Sequence, residues 1–398
     1  MFYLIATTLI GINLFPILAK DINVWNAQGF FVQAMILLML CWSFKEQSVN
    51  KVKNEPLGWF FLWCGASTLW ATYWMMVSAG YIYPRILKPE VIPPHFLTFF
   101  NILCFVILFR CVAEYLTRDL VIKVIEVFRW LAIGNIIVCG LQYFNLCELF
   151  VLLYKTAGRG EYFNNLSGGM LMQPTIMASV FGLSIPIFLY KKNLLNTLCL
   201  IFIVFYLCFM SGTSKGDISS GGIVTALATI LFDLFFTNRF WFFCLLAGAV
   251  IAGGWVFLFT DKDIKKMLLD LNGRQLFWVY YLELFRENPF LGKGLGWVKA
   301  NFLNTEFPRT MQLHNEPLQI AVELGLVGLT AFVNIVMGVF KLFDRDDAEM
   351  LVLHSMLFGF LVSCLHVHLG HIWYSALIGV VCYAGIYALE SEKNARFY

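Results

Sequence analysis

Leu313-His314-Asn315-Glu316-Pro317-Leu318-Gln319-Ile320-Ala321-Val322-Glu323-Leu324-Gly325-Leu326-Val327-Gly328 sets a histidine immediately before an apolar run that Pro317 can start as a helix. Glu323 lies about two turns further in, and an ionisable side chain at that depth of an apolar helix is a functional candidate by default. Upstream, the segment from Gly273 to Arg286 spaces its apolar residues at helical intervals. Asn272 can cap that helix and Pro289 can stop it. Arg274 falls in its first turn, where backbone N–H groups also point outward, and a guanidinium at a helix N-terminus suits a phosphate oxygen. Between the two helices runs Pro289-Phe290-Leu291-Gly292-Lys293-Gly294-Leu295-Gly296-Trp297. Its glycines match G-x-G-x-x-G only loosely and no strand precedes them. They read as a tight turn with close backbone approach, not as a dinucleotide site.

The elements that carry these residues follow from composition. The chain has 398 residues, 60% hydrophobic and 17% aromatic but only 13% charged, with a net charge of +3. Its mean hydropathy is +0.75. Soluble domains are about 25% charged, so polar surface for a soluble globule is missing. A soluble enzyme, a disordered chain and a nucleic-acid binder are excluded together, leaving an all-α, polytopic membrane protein. The 11 cysteines sit mostly in apolar runs without CxxC spacing and read as small buried hydrophobes. Met1–Ala19 lacks a basic start and an A-x-A site, so it reads as a retained first helix.

Since a membrane helix needs about 20 mostly apolar residues, spans are expected near 2–19, 22–44, 57–83, 95–116, 121–146, 171–190, 194–211, 218–237, 240–260, 317–341, 350–369 and 372–390. The expected organisation is nine spans over 1–260, a long loop over 261–316, and three spans with a tail over 317–398. Lys45, Lys51, Lys53, Arg118, Lys123, Lys191, Lys192, Arg239, Lys341, Arg345, Lys393 and Arg396 all fall on one side of this arrangement. The positive-inside rule assigns that side to the cytoplasm. The loops 84–94, 147–170, 211–217, 261–316 and 368–371 are then external. The longest of them breaks the rule, carrying Lys262, Lys265, Lys266, Arg274, Arg286, Lys293, Lys299 and Arg309. Long loops cross regardless of charge, but so many cations on that side call for an anion.

The order Gly-Arg, Trp, Asn-Pro-x-x-Gly-x-Gly-x-Gly, then His-Asn-x-x-Leu-Gln and Glu-x-Gly-x-x-Gly, resembles the O-antigen ligase and polymerase superfamily of bacterial inner membranes. Met172-Gln173-Pro174-Thr175-Ile176-Met177-Ala178 is similar to its Gln-Pro-Asn-x-x-Ala segment, with Thr175 for Asn. Ser211-Gly212-Thr213-Ser214-Lys215-Gly216 is similar to its Ser-x-Ser/Thr-Arg stretch, with Lys215 for Arg. The resemblance implies a GT-C-like fold and a glycosyltransferase that moves a glycan from undecaprenyl diphosphate to an acceptor on the periplasmic side. It implies no cofactor and no metal.

Such a reaction needs fixed cations for the diphosphate leaving group and a general base for the acceptor hydroxyl. By resemblance, Arg274 and Lys215 are the clamps and His314 the base. Glu323, Gln173, Arg159 and Asn315 are candidates for substrate contacts, Glu323 also for orienting His314 or Arg274. Each has a structural alternative: Arg274 as a headgroup anchor, His314 as a helix cap, Lys215 as a point charge without Arg's bidentate grip. Asp261-Lys262-Asp263 reads as a solvated charge cluster, and Asp344, Asp346 and Asp347 lie on the opposite face. Arg110 with Glu114 and Glu126 with Arg129 can neutralise each other. His366, His368 and His371 do not share a helical face, so they suit a sugar or acceptor contact better than a metal. His95 and His354 have no partner legible in the sequence.

A ligase acting on lipid A-core is the best-supported member, on loop size and length. A polymerase using a second lipid-linked glycan and a protein O-oligosaccharyltransferase share the donor motifs. A transporter or flippase is the rival from another class, and it is disfavoured because no two halves of the chain match.

Overall fold

A computed structural model describes residues 1–18, 24–45, 55–77, 94–144, 174–211, 220–259, 274–298, 315–365 and 373–395. Among them lie thirteen helices and no strand: α1 Phe2–Leu18, α2 Val24–Ser43, α3 Glu55–Val77, α4 Pro94–Tyr115, α5 Arg118–Tyr143, α6 Pro174–Tyr190, α7 Leu194–Phe209, α8 Ser220–Thr237, α9 Arg239–Phe259, α10 Arg274–Glu287, α11 Glu316–Phe340, α12 Ala348–Ser363 and α13 Trp373–Ala395. All but α10 fall on the apolar segments expected from sequence; α10 lies in the long loop. Phe96–Tyr115, Arg118–Tyr143 and Glu316–Phe340 are long and apolar enough by themselves to cross a bilayer. The outer faces carry large apolar side chains such as Leu69, 71% exposed, and Ile251, 70% exposed. A surface of that kind faces lipid rather than water.

Lipid gives no hydrophobic drive for helix association, so small residues and buried hydrogen bonds do the packing. Gly222 of α8 approaches Ala178 of α6 so closely that a Cβ there would lie 2.4 Å from the alanine methyl. Thr229 Oγ1 donates to the Gly182 carbonyl across the same pair at 3.0 Å. α12 packs on both α6 and α8, and α13 lies against α4 and α12. Asn13, which interrupts the first apolar run, is buried and accepts from Asn135 Nδ2 of α5 at 3.1 Å. His354 is fully buried, its ring nitrogens 2.8 Å from the Met350 carbonyl oxygen and 3.1 Å from that of Val339. The N–H of either tautomer therefore finds a carbonyl, and the ring ties α12 to the end of α11. The described cysteines are unpaired by disulfide, and most are buried.

The charges expected on the cytoplasmic side gather at one end of the bundle. Arg118 grips Asp347 with two 2.8 Å hydrogen bonds and also reaches Glu349, while its backbone N–H donates to Glu392 at 2.7 Å. Burial raises the Asp347 carboxyl, but hydrogen bonds from Arg118 and the Met350 amide outweigh it and hold the group below the usual carboxylate range. Glu126 pairs with Arg129 and Lys191, and Arg110 with Glu114. Arg118→Ala leaves Asp347 and Glu349 facing each other without their cation. Its expected cost is about 1–3 kcal/mol, the range for charged hydrogen bonds to a partly exposed group. Thermal unfolding in detergent checks this against Arg345→Ala, whose arginine is 65% exposed and pairs with Asp346 at 3.5 Å. Equal midpoints for the two variants contradict the clamp.

Candidate active site

α11 is not one helix but two. Gly325 has φ 67° and ψ −169°, so Glu316–Leu324 and the stretch from Leu326 onward are separate half-helices. A break inside an apolar helix strips backbone groups of their partners, and each must be satisfied within the protein. The glycine-rich segment after α10 does this. Lys293 N donates to the Val322 carbonyl at 2.8 Å and Gly294 N to that of Glu323 at 2.9 Å. Trp63 Nε1 of α3 takes the Leu324 carbonyl at 2.9 Å. On the other side of the break, Leu326 N donates to the Pro289 carbonyl at 2.8 Å and Val327 N to that of Phe290 at 3.4 Å.

The fit needs bare backbone on both sides. A Cβ on Gly292, which has φ 73°, would sit 2.4 Å from the Glu323 carbonyl oxygen. One on Gly325 would sit 2.1 Å from that of Phe290. The expected close backbone approach is therefore present, and its partner is a broken helix.

Glu323 locks the segment in place. It is 3% exposed, and its Oε2 accepts from Gly296 N at 3.0 Å while Oε1 accepts from Val298 N at 3.0 Å and Gln319 Nε2 at 3.3 Å. Ser67 of α3 adds a bond from Leu295 N to its Oγ at 3.0 Å. The carboxylate's lone pairs thus go to the loop. Trp63 and Ser67 had no signature in the sequence beyond a tryptophan and a serine inside an apolar run.

This lock orients α10. The chain leaves α10 at Glu287 and meets the break of α11 within three residues. α10 packs along the first half of α11 through Trp278, Tyr281 and Phe285, in one cluster with Leu318 and Val322. The C-terminus of α10 therefore lies at the break, and its apolar residues share a cluster with the first half of α11. Arg274 is the first residue of α10. Asn315 caps α11, its Oδ1 accepting from Leu318 N at 3.0 Å, with Pro317 in the first turn. Each helix N-terminus presents the positive end of its dipole, which suits an anion. The opposite face of α10 leaves Val279, 57% exposed, and Leu282 uncovered, as expected of a helix lying against a leaflet surface.

His314, Lys215, Gln173 and Arg159 lie outside the described residues, as do Asn272, His366, His368 and His371. Arg274 is placed by its helix alone. Among the expected site residues, Glu323 and Asn315 are seen in full: Asn315, rather than His314, is the helix cap, and its carboxamide oxygen is used in that cap.

Residues 199–333 match the family model described as O-Antigen ligase. The match covers about a third of the chain and supports the O-antigen ligase and polymerase superfamily to which the motifs point. Members of this superfamily are membrane-integral, glycosyltransferase-like ligases and polymerases, and the match supports an enzyme of that general kind. The matched stretch runs from α7 past the break in α11. It therefore contains Lys215, Arg274, His314 and Glu323, while Gln173 and Arg159 fall before it. No curated protein matches the chain.

Proposed function

We propose that the chain is an O-antigen ligase-like glycosyltransferase of the bacterial inner membrane. It moves a polysaccharide en bloc from undecaprenyl diphosphate to lipid A-core oligosaccharide in the periplasmic leaflet. The observation that carries this reading is the match of residues 199–333 to the O-Antigen ligase model, a stretch that contains Lys215, Arg274, His314 and Glu323. The chain crosses the membrane twelve times in a GT-C-like bundle, and the 261–316 loop faces the periplasm.

In this scheme the acceptor hydroxyl oxygen attacks the anomeric carbon of the donor glycan. The bond from that carbon to the diphosphate oxygen breaks, and both electrons leave with the diphosphate. His314 takes the hydroxyl proton as the bond forms. Arg274 and Lys215 hold the charge that develops on the leaving group, helped by the helix N-termini. Gln173, Arg159 and Asn315 contact the donor, and no metal takes part.

A transporter would use a broken helix differently, leaving its bare ends for an ion or substrate. Here the carbonyls of Val322, Glu323 and Leu324 and the amides of Leu326 and Val327 already have protein partners. That favours a structural break supporting a fixed site.

His314→Ala is expected to remove at least about 100-fold of the transfer rate, the usual contribution of a positioned base. Amounts in the membrane should stay unchanged. Ladders of glycan-capped lipopolysaccharide read the outcome, and near-normal ladders contradict the assignment. Lys215→Arg should keep or raise activity. A loss as deep as that of Lys215→Ala denies it a phosphate-binding role.

A further inference from the structure

α3 lies along the broken helix and touches it on both sides of Gly325. Phe60 packs against Phe332 of the second half-helix, ring centroids 6.4 Å apart. About a turn on, Trp63 Nε1 donates at 2.9 Å to the carbonyl of Leu324, the last residue of the first half-helix. A turn further, Ser67 Oγ accepts from Leu295 N at 3.0 Å. At Ala71 the Gly294 backbone comes so near that a Cβ there would lie 2.6 Å from the alanine methyl. Phe60, Trp63, Ser67 and Ala71 follow one another at helical spacing, so they share one face of α3. Cys64 beside them is buried in a cluster with Leu295 and Leu324. The second half-helix, the break and the glycine-rich segment therefore rest on a single face.

A second observation indicates what that face supports. Every backbone N–H from Gly292 to Val298 donates within the protein, to Asn288, Val322, Glu323, Gly294 or Ser67. No amide of this stretch is left to cradle a phosphate as a backbone nest would. The stretch is a scaffold, and the anion its amides meet is the Glu323 carboxylate. Asn315, directly after His314, caps the start of the half-helix Glu316–Leu324. The carbonyls at its other end go to Lys293, Gly294 and Trp63. So short a helix moves as a rod, and bonds at its end fix where its start points.

We propose that Trp63 and Ser67 are positioning residues of the transferase, and that α3 is a splint holding the two halves of α11 and the glycine-rich segment in one fixed arrangement. Both residues lie outside the stretch 199–333 that carries the family match. The assignment rests on the glycosyltransferase reading, and it extends the working site to a helix that gives no group to the reaction.

Three variants test it in the full-length protein in nanodiscs. Trp63→Phe removes the indole N–H, Ser67→Ala removes the acceptor, and Ala71→Leu leaves both groups in place but presses on Gly294. Trp59→Phe is the control, on the lipid-facing side of the same helix at 69% exposure. Glycan transfer from undecaprenyl-diphosphate glycan to lipid A-core oligosaccharide is measured beside amide exchange over residues 288–298. Each of the three variants should lose at least about 10-fold in kcat, within what a displacement of 1 Å or less causes. Donor KM should stay unchanged, and exchange over 288–298 should quicken. The control should match wild type in all three readings. Trp63→Phe combined with Glu323→Gln should lose less than the product of the separate losses, because both act through one segment. Faster exchange at wild-type kcat overturns the proposal, since the segment then loosens without consequence for the site. A raised donor KM at unchanged kcat also overturns it, by making the residues direct donor contacts. If Trp63→Phe does not fold, Ser67→Ala and Ala71→Leu carry the same test. A wild type that transfers no glycan sinks the transferase reading and the positioning role with it. Variants that transfer like an active wild type sink the positioning role alone.

Discussion

Gly325→Ala is expected to abolish glycan transfer and to be the most destabilising glycine-to-alanine change among the described residues. At φ 67° and ψ −169° the backbone occupies a region essentially restricted to glycine. Holding another residue there costs about 1–3 kcal/mol. The added methyl would also sit 2.1 Å from the Phe290 carbonyl oxygen, which accepts the Val327 amide. Relief requires the glycine-rich segment to move off the break, and overpacking of that kind costs about 1–3 kcal/mol more. Roughly 4 kcal/mol in total is a large fraction of a typical stability. Gly248→Ala in α9 is the matched control, because a Cβ there meets nothing within 4 Å. It should be neutral or gain about 0.5–1 kcal/mol of helix propensity. Unfolding midpoints in detergent and transfer in membranes read both variants. A Gly325→Ala protein with wild-type midpoint and activity shows that the close approach is dispensable.

Glu323→Ala is expected to lower transfer by about two orders of magnitude through displacement of α10, since a shift near 1 Å at a reacting site costs about 100-fold. The substitution strips the Gly296 and Val298 amides of their carboxylate, at about 1–3 kcal/mol for each buried unsatisfied group. Glu323→Gln keeps the volume and one acceptor oxygen, so it should recover most of the stability and part of the turnover. Donor KM should change little in the Gln variant while kcat falls, because the carboxylate acts on the loop and through it on Arg274. If Glu323→Gln instead melts like wild type and loses donor affinity alone, the residue contacts the donor directly. The sequence admits both roles for Glu323, and the carboxylate's three hydrogen bonds favour the positioning one.

Local features of the site are legible in the sequence because their causes are local. Pro289 follows the last turn of α10, Pro317 opens α11, and three glycines in five residues announce a backbone that must come close to something. The break in α11 is not legible, because Glu-Leu-Gly-Leu-Val-Gly keeps an apolar helical pattern straight through it. What permits the break is the pairing with a segment some thirty residues earlier and with Trp63, 261 residues away in the chain. Long-range pairings of that kind leave no local trace. The same holds for Asn13 and Asn135, which look like two interruptions in two apolar runs and are in fact partners. His354 gave no partner by spacing because its second acceptor lies on the preceding helix. Charge was read more successfully: Arg118, Lys191 and Lys393 do meet carboxylates at a common end. In the 261–316 loop, Lys293 likewise pairs with Glu287, and the proposed lipid diphosphate is the anion offered for Arg274 and Lys215.

The most direct test is reconstitution of the purified protein with undecaprenyl-diphosphate glycan and lipid A-core oligosaccharide in the presence of a chelator. A second lipid-linked glycan and a Ser/Thr-bearing protein serve as parallel acceptors. The proposed function predicts a glycan-capped lipid A-core product with wild type in chelator, none with His314→Ala, and little with the parallel acceptors. Transfer that requires a divalent metal, persists in His314→Ala, or goes only to another acceptor would contradict it.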